Sequence, residues 1–215
     1  MVKRPINQKT KISALFLDFN GVLCSDYFYS SMKSDYPDAY HYITQDFIIN
    51  SKDIINKWMV GGLNYHQVNS IISKNTGLSQ KLLDIKLEES VRMMKLNSHL
   101  MEFAKQAKKN GAKTAIVTDN MDIFQKIFIP HNKLNDFFDK ITSSHKYKQL
   151  KVDNNGQLFD ITRDHLSIDY QNTIMLDDSS KLANLMTLKG IHFYLYNNQT
   201  KDSFINWFDQ RYFFG

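Results

Sequence analysis

Hydrophobic residues in this chain alternate between short continuous runs and longer stretches in which they recur every three or four positions. Strongly apolar runs at residues 12–17, 114–117 and 173–176 have the length of buried strands, and weaker runs at 137–142 and 191–196 predict two more. The stretches between them have helical periodicity. Because strands that alternate with helices form parallel sheets with right-handed crossovers, the pattern predicts an α/β fold.

A helical block interrupts this alternation directly after the first strand. Residues 26–60 lack the alternation of a strand, and Asn64 and Ser79 stand where the N-caps of two further helices are expected. We therefore expect a Rossmann-like parallel-sheet core made of residues 1–24 and 97–215. Residues 25–96 are expected to form an inserted helical cap subdomain.

The composition narrows the classes of protein to consider. Hydrophobic residues make up 42% of the 215 residues and aromatic residues 13%, which is enough for a sizeable core, and the aromatic tail at 204–213 predicts a packed helix. The net charge of +5 comes without dense basic runs, which disfavours nucleic acid as a partner and suits a small phosphorylated molecule.

A single cysteine (Cys24), no signal-peptide pattern and no run of membrane-spanning length predict a soluble cytoplasmic protein that does not interact with membranes. Nothing in the pattern specifies an oligomeric state.

The candidate chemistry lies where three predicted strands stop at polar side chains. These residues are Asp18 with Asn20, Thr118 with Asp119, and Asp177 with Asp178. The carboxyl ends of parallel strands meet at one edge of the sheet, so we expect the carboxylates to crowd there and to require a cation. Hard oxygen ligands in small number suit Mg²⁺, which keeps several waters and shares its shell with a phosphate.

These segments resemble the motifs of the haloacid dehalogenase superfamily, taken in order along the chain. The matching segments are Asp18-Phe19-Asn20-Gly21-Val22-Leu23, Ala115-Ile116-Val117-Thr118-Asp119-Asn120, Lys151-Val152-Asp153 and Met175-Leu176-Asp177-Asp178-Ser179. In the third motif Val152 replaces the usual proline, and Lys148 is a competing candidate for its lysine. The helical block resembles the small helical (C1-type) cap of the same superfamily.

The resemblance implies a phosphate-ester hydrolase that acts on a small phosphorylated metabolite. Asp18 would attack phosphorus and form an aspartyl-phosphate, and Lys151 would stabilise Asp18 and the phosphoryl charge. The implied Mg²⁺ ligands are the Asp18 side chain, the Asn20 backbone carbonyl, Asp177 and Asp178. The implied phosphate-binding residues are Thr118, Asp119, Asn120 and Lys151, with the backbone amides after Thr118 contributing.

Asn20 departs from the family pattern, which has an aspartate there as general acid and base. An amide cannot exchange a proton usefully near neutral pH, and general acid–base help is worth about 10²–10⁴-fold. The sequence therefore predicts a slow phosphatase, one limited to good leaving groups, or one that stalls as the aspartyl-phosphate. Two rivals remain: a protein that binds a phosphorylated ligand without turnover, and a carbon–halogen hydrolase. The paired acids Asp177 and Asp178 argue against the second rival, because that chemistry needs no metal.

Overall fold

The computed structural model describes residues 9–215, and its centre is a five-stranded parallel sheet. In chain order the strands of the described residues are β1 Thr10–Ile12, β2 Ala14–Leu17, β3 Lys113–Thr118, β4 Lys140–Ser143, β5 Thr173–Asp177, β6 His192–Leu195 and β7 Tyr212–Phe214. The main sheet has the order β4-β3-β2-β5-β6, and each adjacent pair runs parallel. The α/β parallel sheet predicted from the sequence is confirmed.

The central strand β2 and the strands on either side of it end at nearly the same height in the sheet. All four of its residues are fully buried, as expected of a strand with helices on both faces. Its last residue, Leu17, pairs with Ile116 on one side and with Leu176 on the other. Asp18 continues this register, since its backbone N–H donates to the Leu176 carbonyl at 2.9 Å. The residues that follow β2 therefore lie level with the ends of β3 and β5.

Helices surround the sheet and fill the long segment between β2 and β3. The α-helices of that segment are α1 Pro37–His41, α2 Ile48–Asn50, α3 Lys52–Met59, α4 Tyr65–Thr76 and α5 Gln80–Met93. The later ones are α6 Ser98–Lys109, α7 Ile129–His131, α8 Leu134–Phe137, α9 Ser144–Tyr147, α10 Gln157–Leu166, α11 Ala183–Lys189 and α12 Phe204–Arg211. Two π-helical segments occur, at Tyr42–Phe47 and Phe124–Phe128. Within residues 9–215, no helix combines the length and apolar character that crossing a bilayer requires.

The N-caps predicted for the helical block are present. Asn64 forms a capping box at the start of α4: its side chain accepts the Gln67 backbone N–H at 3.0 Å, and the Gln67 side chain accepts the Asn64 N–H at 2.9 Å. Ser79 accepts the Leu82 N–H at 3.3 Å at the start of α5. These local bonds fix where α4 and α5 begin, so that their apolar faces pack against one another.

Two expectations about the chain ends are wrong in part. The apolar run expected to form one strand over 12–17 is divided at Ser13, whose backbone bonds to Lys113, the first residue of β3, and to Asn172, just before β5. The residues before it, β1, pair instead with β7 in a separate two-stranded sheet. The aromatic tail, expected to be a helix alone, is a helix followed by the strand β7, because the last residues of the tail pair with β1.

Candidate active site

The polar residues at the ends of β2, β3 and β5 come together at one edge of the sheet. Asp18 directly follows β2, Thr118 ends β3, and Asp177 ends β5 and is followed by Asp178. Carboxylate oxygens of the three aspartates lie within 4.8 Å of one another. Chain segments more than a hundred residues apart thus supply one acidic cluster, which we call the carboxylate cluster (Asp18, Asp177 and Asp178).

Lys151 is the basic residue of this cluster. Its Nζ lies 2.8 Å from Asp18 Oδ2 and 2.6 Å from Asp177 Oδ2. Burial disfavours its charged form, but the adjacent carboxylates dominate and raise the pKa of Lys151 above its usual value. The competing candidate, Lys148, instead directs its Nζ to the Gly61 carbonyl at 3.3 Å. The structure therefore brings Lys151, and not Lys148, to the strand ends.

The cluster carries more negative charge than Lys151 can neutralise. Burial, together with repulsion from Asp18, raises the pKa of Asp177 to about 7 and raises the pKa of Asp178 as well. When all three carboxylates of the cluster are ionised, three negative charges face one positive charge, which leaves two. An oxygen-only ligand set with this residual charge fits a hard divalent cation such as Mg²⁺.

Gly21 allows the loop after β2 to pass close to Asp178. Its φ is +76°, and a Cβ at this position would lie 2.2 Å from Asp178 Oδ2. Both the left-handed backbone and this close approach require glycine. The loop is closed by the Gly21 N–H, which donates to the Cys24 carbonyl at 2.8 Å. Asn20, which precedes Gly21, lines an adjoining cavity together with Asp178.

Two buried polar atoms near the cluster lack a partner within the described part of the chain. They are the Thr118 hydroxyl and the side-chain nitrogen of Asn120, and both residues are fully buried. Buried polar groups are almost always hydrogen-bonded, so an orphaned hydroxyl and an orphaned amide donor indicate a place for an oxygen-rich ligand. These two atoms suit the oxygens of a phosphoryl group.

Two groups that follow Thr118 already have hydrogen-bond partners, and one of them, the Asn120 backbone N–H, was expected from the sequence to bind phosphate. The Asn120 backbone N–H donates to Ser144 Oγ at 2.9 Å, so Asn120 can offer its side-chain amide instead. The Asp119 carboxylate accepts the Lys151 backbone N–H at 2.8 Å, and burial raises the pKa of Asp119 to about 6. The Asp119 side chain is therefore a support for Lys151, and as a carboxylate it has only acceptor oxygens and cannot donate a hydrogen bond to phosphate.

Comparison with known proteins identifies the family. A family model described as haloacid dehalogenase-like hydrolase matches residues 27–184, which is more than half of the chain. The chain belongs to the haloacid dehalogenase-like hydrolases. The matched range of this haloacid dehalogenase-like hydrolase includes Thr118, Lys151 and the acidic pair after β5, and it begins after Asp18. No protein with a curated description is significantly similar in sequence.

Solved structures of haloacid dehalogenase-like proteins share the fold. A HAD family enzyme from Bacteroides thetaiotaomicron matches with a TM-score of 0.69 at 17% identity, covering 89% of this chain and 98% of that one. A predicted HAD-like family hydrolase from Porphyromonas gingivalis matches with a TM-score of 0.69 at 14% identity, covering 92% and 98%. An L-2-haloacid dehalogenase from Xanthobacter autotrophicus matches with a TM-score of 0.61 at 13% identity, covering 85% and 76%. At identities this low, the similarity shows a shared fold alone.

Asp122 links the helical block of this haloacid dehalogenase-like hydrolase to its sheet, and the sequence did not single it out. Its fully buried carboxylate accepts hydrogen bonds from Trp58 Nε1 at 2.7 Å and from the Tyr65 backbone N–H at 3.1 Å. Tyr65 is the first residue of α4, where an anion is favourable. Because Asp122 lies four residues before Lys126, the pair resembles an ordinary exposed ion pair on a helix, which conceals the role of Asp122.

We expect Asp122→Ala to lower the free energy of unfolding by about 3 kcal/mol, because it leaves a buried indole N–H and a helix-terminal N–H without partners. Chemical denaturation followed by tryptophan fluorescence measures this loss. The control is Lys126→Ala, which removes the half-exposed partner of the same carboxylate and should cost less than about 1 kcal/mol. Equal losses in the two variants would contradict the role assigned to the buried carboxylate.

Proposed function

We propose that this protein is a Mg²⁺-dependent phosphatase that hydrolyses small phosphate monoesters through an aspartyl-phosphate on Asp18. The observation that carries the proposal is the carboxylate cluster paired with Lys151 beside the orphaned Thr118 hydroxyl. A related fold supports it: the Bacteroides enzyme has been crystallised with magnesium and inorganic phosphate. We further propose that residues 25–96 act as a cap over a core of residues 1–24 and 97–215.

Asp18 would act as the nucleophile in this reaction. One of its oxygens accepts the Phe19 N–H at 2.7 Å, and the other lies 2.8 Å from Lys151 Nζ. These two contacts hold the carboxylate in a fixed orientation, which an attacking oxygen requires. In the first step an Asp18 oxygen bonds to phosphorus while the ester P–O bond breaks, and the departing alkoxide takes a proton from solvent. In the second step a water oxygen bonds to the same phosphorus while the bond between Asp18 and phosphorus breaks, which releases phosphate carrying the hydrogens of the water and regenerates the Asp18 carboxylate.

The divalent ion would be held by the side chains of Asp18 and Asp178 and by the Asn20 backbone carbonyl, with Asp177 contributing directly or through water. When bound, such an ion supplies positive charge that offsets the charge developing on the phosphoryl oxygens. Lys151 contributes a second positive charge, and the Thr118 hydroxyl and the Asn120 amide would donate to the phosphoryl oxygens.

Asn20 limits both steps of this reaction. The side chain at this position would normally give a proton to the departing alcohol and then take one from the attacking water. An amide does neither, so esters of acidic alcohols, which leave without protonation, should be the best substrates. Hydrolysis of the aspartyl-phosphate should then be slow, because water must attack without a base.

Steady-state hydrolysis of 4-nitrophenyl phosphate tests the proposal. We expect slow release of nitrophenol with Mg²⁺ present and at least about tenfold less with EDTA, since the carboxylate cluster is then left without its counter-ion. Thr118→Val, which removes only the hydroxyl, should reduce the rate about 10-fold or more. Two results would contradict the proposal: phosphate binding without any turnover, or chloride release from a 2-haloacid in the presence of EDTA.

A further inference from the structure

A cavity of about 730 Å³ opens beside the carboxylate cluster and extends under the helical block. Asn20, Gly21 and Asp178 line it at the site, and residues of the helical block from Tyr40 to Met59 line it as well. Its volume is in the range of cavities that hold small organic ligands. An ester bound with its phosphorus at Asp18 would have to place its alcohol part in this space.

The cavity lining lacks positive charge. Among residues 9–215, the side chains that line it include no lysine, arginine or histidine, and its charged members are Asp26 and Asp178. Asp26 is fixed in place, because its Oδ2 accepts the Lys95 backbone N–H at 2.7 Å. With Asp178 assigned to the divalent ion, Asp26 is the remaining charge of this lining, so a second phosphate or a carboxylate on the ligand would meet like charge and no cationic side chain there.

The same lining is aromatic and apolar, with neutral polar groups among them. Tyr27, Phe28 and Tyr40 line one part of it, and Tyr27 is 70% exposed although it belongs to the cavity wall. An exposed ring at a cavity is a surface on which a flat group can stack. Thr44 and Gln45 add uncharged hydrogen-bonding groups from the π-helical segment Tyr42–Phe47, a backbone form that is frequent at functional sites.

We infer that the substrate is the monophosphate ester of an uncharged alcohol that carries an aromatic ring with neutral polar substituents. This inference rests on the proposed phosphatase function and adds the class of alcohol to it. Lys151 and the divalent ion provide for one phosphate, and the rest of the cavity offers nothing to compensate a second anion. Rings with hydroxyl or amide groups match both the aromatic wall and the neutral polar side chains.

Binding of phosphonates, which cannot be hydrolysed, tests the inference without relying on turnover. We would measure dissociation constants by calorimetry, with Mg²⁺ present, for benzylphosphonate and its 4-carbamoyl, 4-carboxy and cyclohexylmethyl counterparts. The 4-carboxy compound should bind about tenfold more weakly than the 4-carbamoyl compound of the same size, because it adds an uncompensated charge. The cyclohexylmethyl compound should bind about threefold more weakly than benzylphosphonate, because it cannot stack.

Two variants separate the charge argument from the stacking argument. Gln45→Lys places a cation in the cavity and should remove or reverse the preference for the 4-carbamoyl compound. Tyr27→Leu changes an exposed residue and should abolish the preference for benzyl over cyclohexylmethyl. Equal affinities in the parent protein, or a preference for the carboxylate, would overturn the inference. If 4-nitrophenyl phosphate is hydrolysed but none of the phosphonates binds, the inference is also overturned while the proposed function stands; loss of both overturns the proposed function.

Discussion

Replacing Asn20 by aspartate should raise kcat for 4-nitrophenyl phosphate, and more strongly for alkyl phosphates, by about 10²–10⁴-fold. The physical reason is the return of a group that protonates the departing alcohol and activates the attacking water. The neighbouring backbone does not need to move, because Gly21 and Cys24 close the loop through main-chain atoms. Steady-state rates of the parent and the variant, measured with saturating Mg²⁺, give the ratio directly.

Asn198→Asp is the matched control for Asn20→Asp. Asn198 lines the same cavity, so this substitution adds the same charge without placing it beside Asp18. We expect no comparable gain in kcat from it. If the parent protein already hydrolyses alkyl phosphates as fast as Asn20→Asp, the account of position 20 is refuted.

Replacing Asp18 by asparagine should reduce hydrolysis to background, a loss of about 10⁴–10⁶-fold when it is measured in the Asn20→Asp protein. The amide keeps the shape of the side chain but cannot attack phosphorus. Lys151 still has Asp177 as a partner at 2.6 Å, so the fold should tolerate the change. Circular dichroism and thermal unfolding establish that the variant is folded before its rate is interpreted.

The intermediate provides a second readout for Asp18. The parent protein, which has no base at position 20, should accumulate a phosphoryl group on Asp18 during turnover. Acid-quenched protein should then show the added mass of one phosphoryl group, located by peptide mass spectrometry to the segment containing Asp18. Asp26→Asn, at a cavity aspartate outside the carboxylate cluster, should still accumulate it. A phosphoryl group found on another residue, or none at all with turnover intact, would refute the covalent mechanism.

The meeting of Asp18, Thr118 and Asp177 is predictable from sequence because each follows or ends an apolar run of strand length. In a parallel sheet such runs end on one edge, and here the register keeps those ends level. The α/β class and the helix N-caps at Asn64 and Ser79 are predictable for the same kind of reason, since both depend on local pattern. The local sequence pattern does not distinguish Lys148 from Lys151 as the lysine near Asp18. In the structure, Lys151 Nζ lies 2.8 Å from Asp18 Oδ2, whereas Lys148 Nζ contacts the Gly61 carbonyl.

Other features depend on contacts between residues far apart in the chain, which produce no periodic pattern in the sequence. The division of the first apolar run at Ser13 follows from a partner strand at the far end of the chain. The role of Asp122 depends on Trp58 and Tyr65, which lie more than fifty residues away. The engagement of the Asn120 backbone by Ser144 is equally invisible in the sequence. Side-chain identity alone does not indicate such bonds, because each depends on how separate segments are packed.

The loop that carries Lys151 is shaped by hydrogen bonds, and this explains how it tolerates Val152 in place of a proline. Asp119 holds the Lys151 N–H, and Asp153 Oδ2 accepts the Leu150 N–H at 2.8 Å. Val152 itself is about half exposed, so its side chain contributes little to the packing of the core. A ring that restricts φ is unnecessary where side-chain acceptors already anchor the two backbone N–H groups that precede this position. Position 152 should therefore accept many residues in evolution or design, whereas Asp119 and Asp153 should resist exchange.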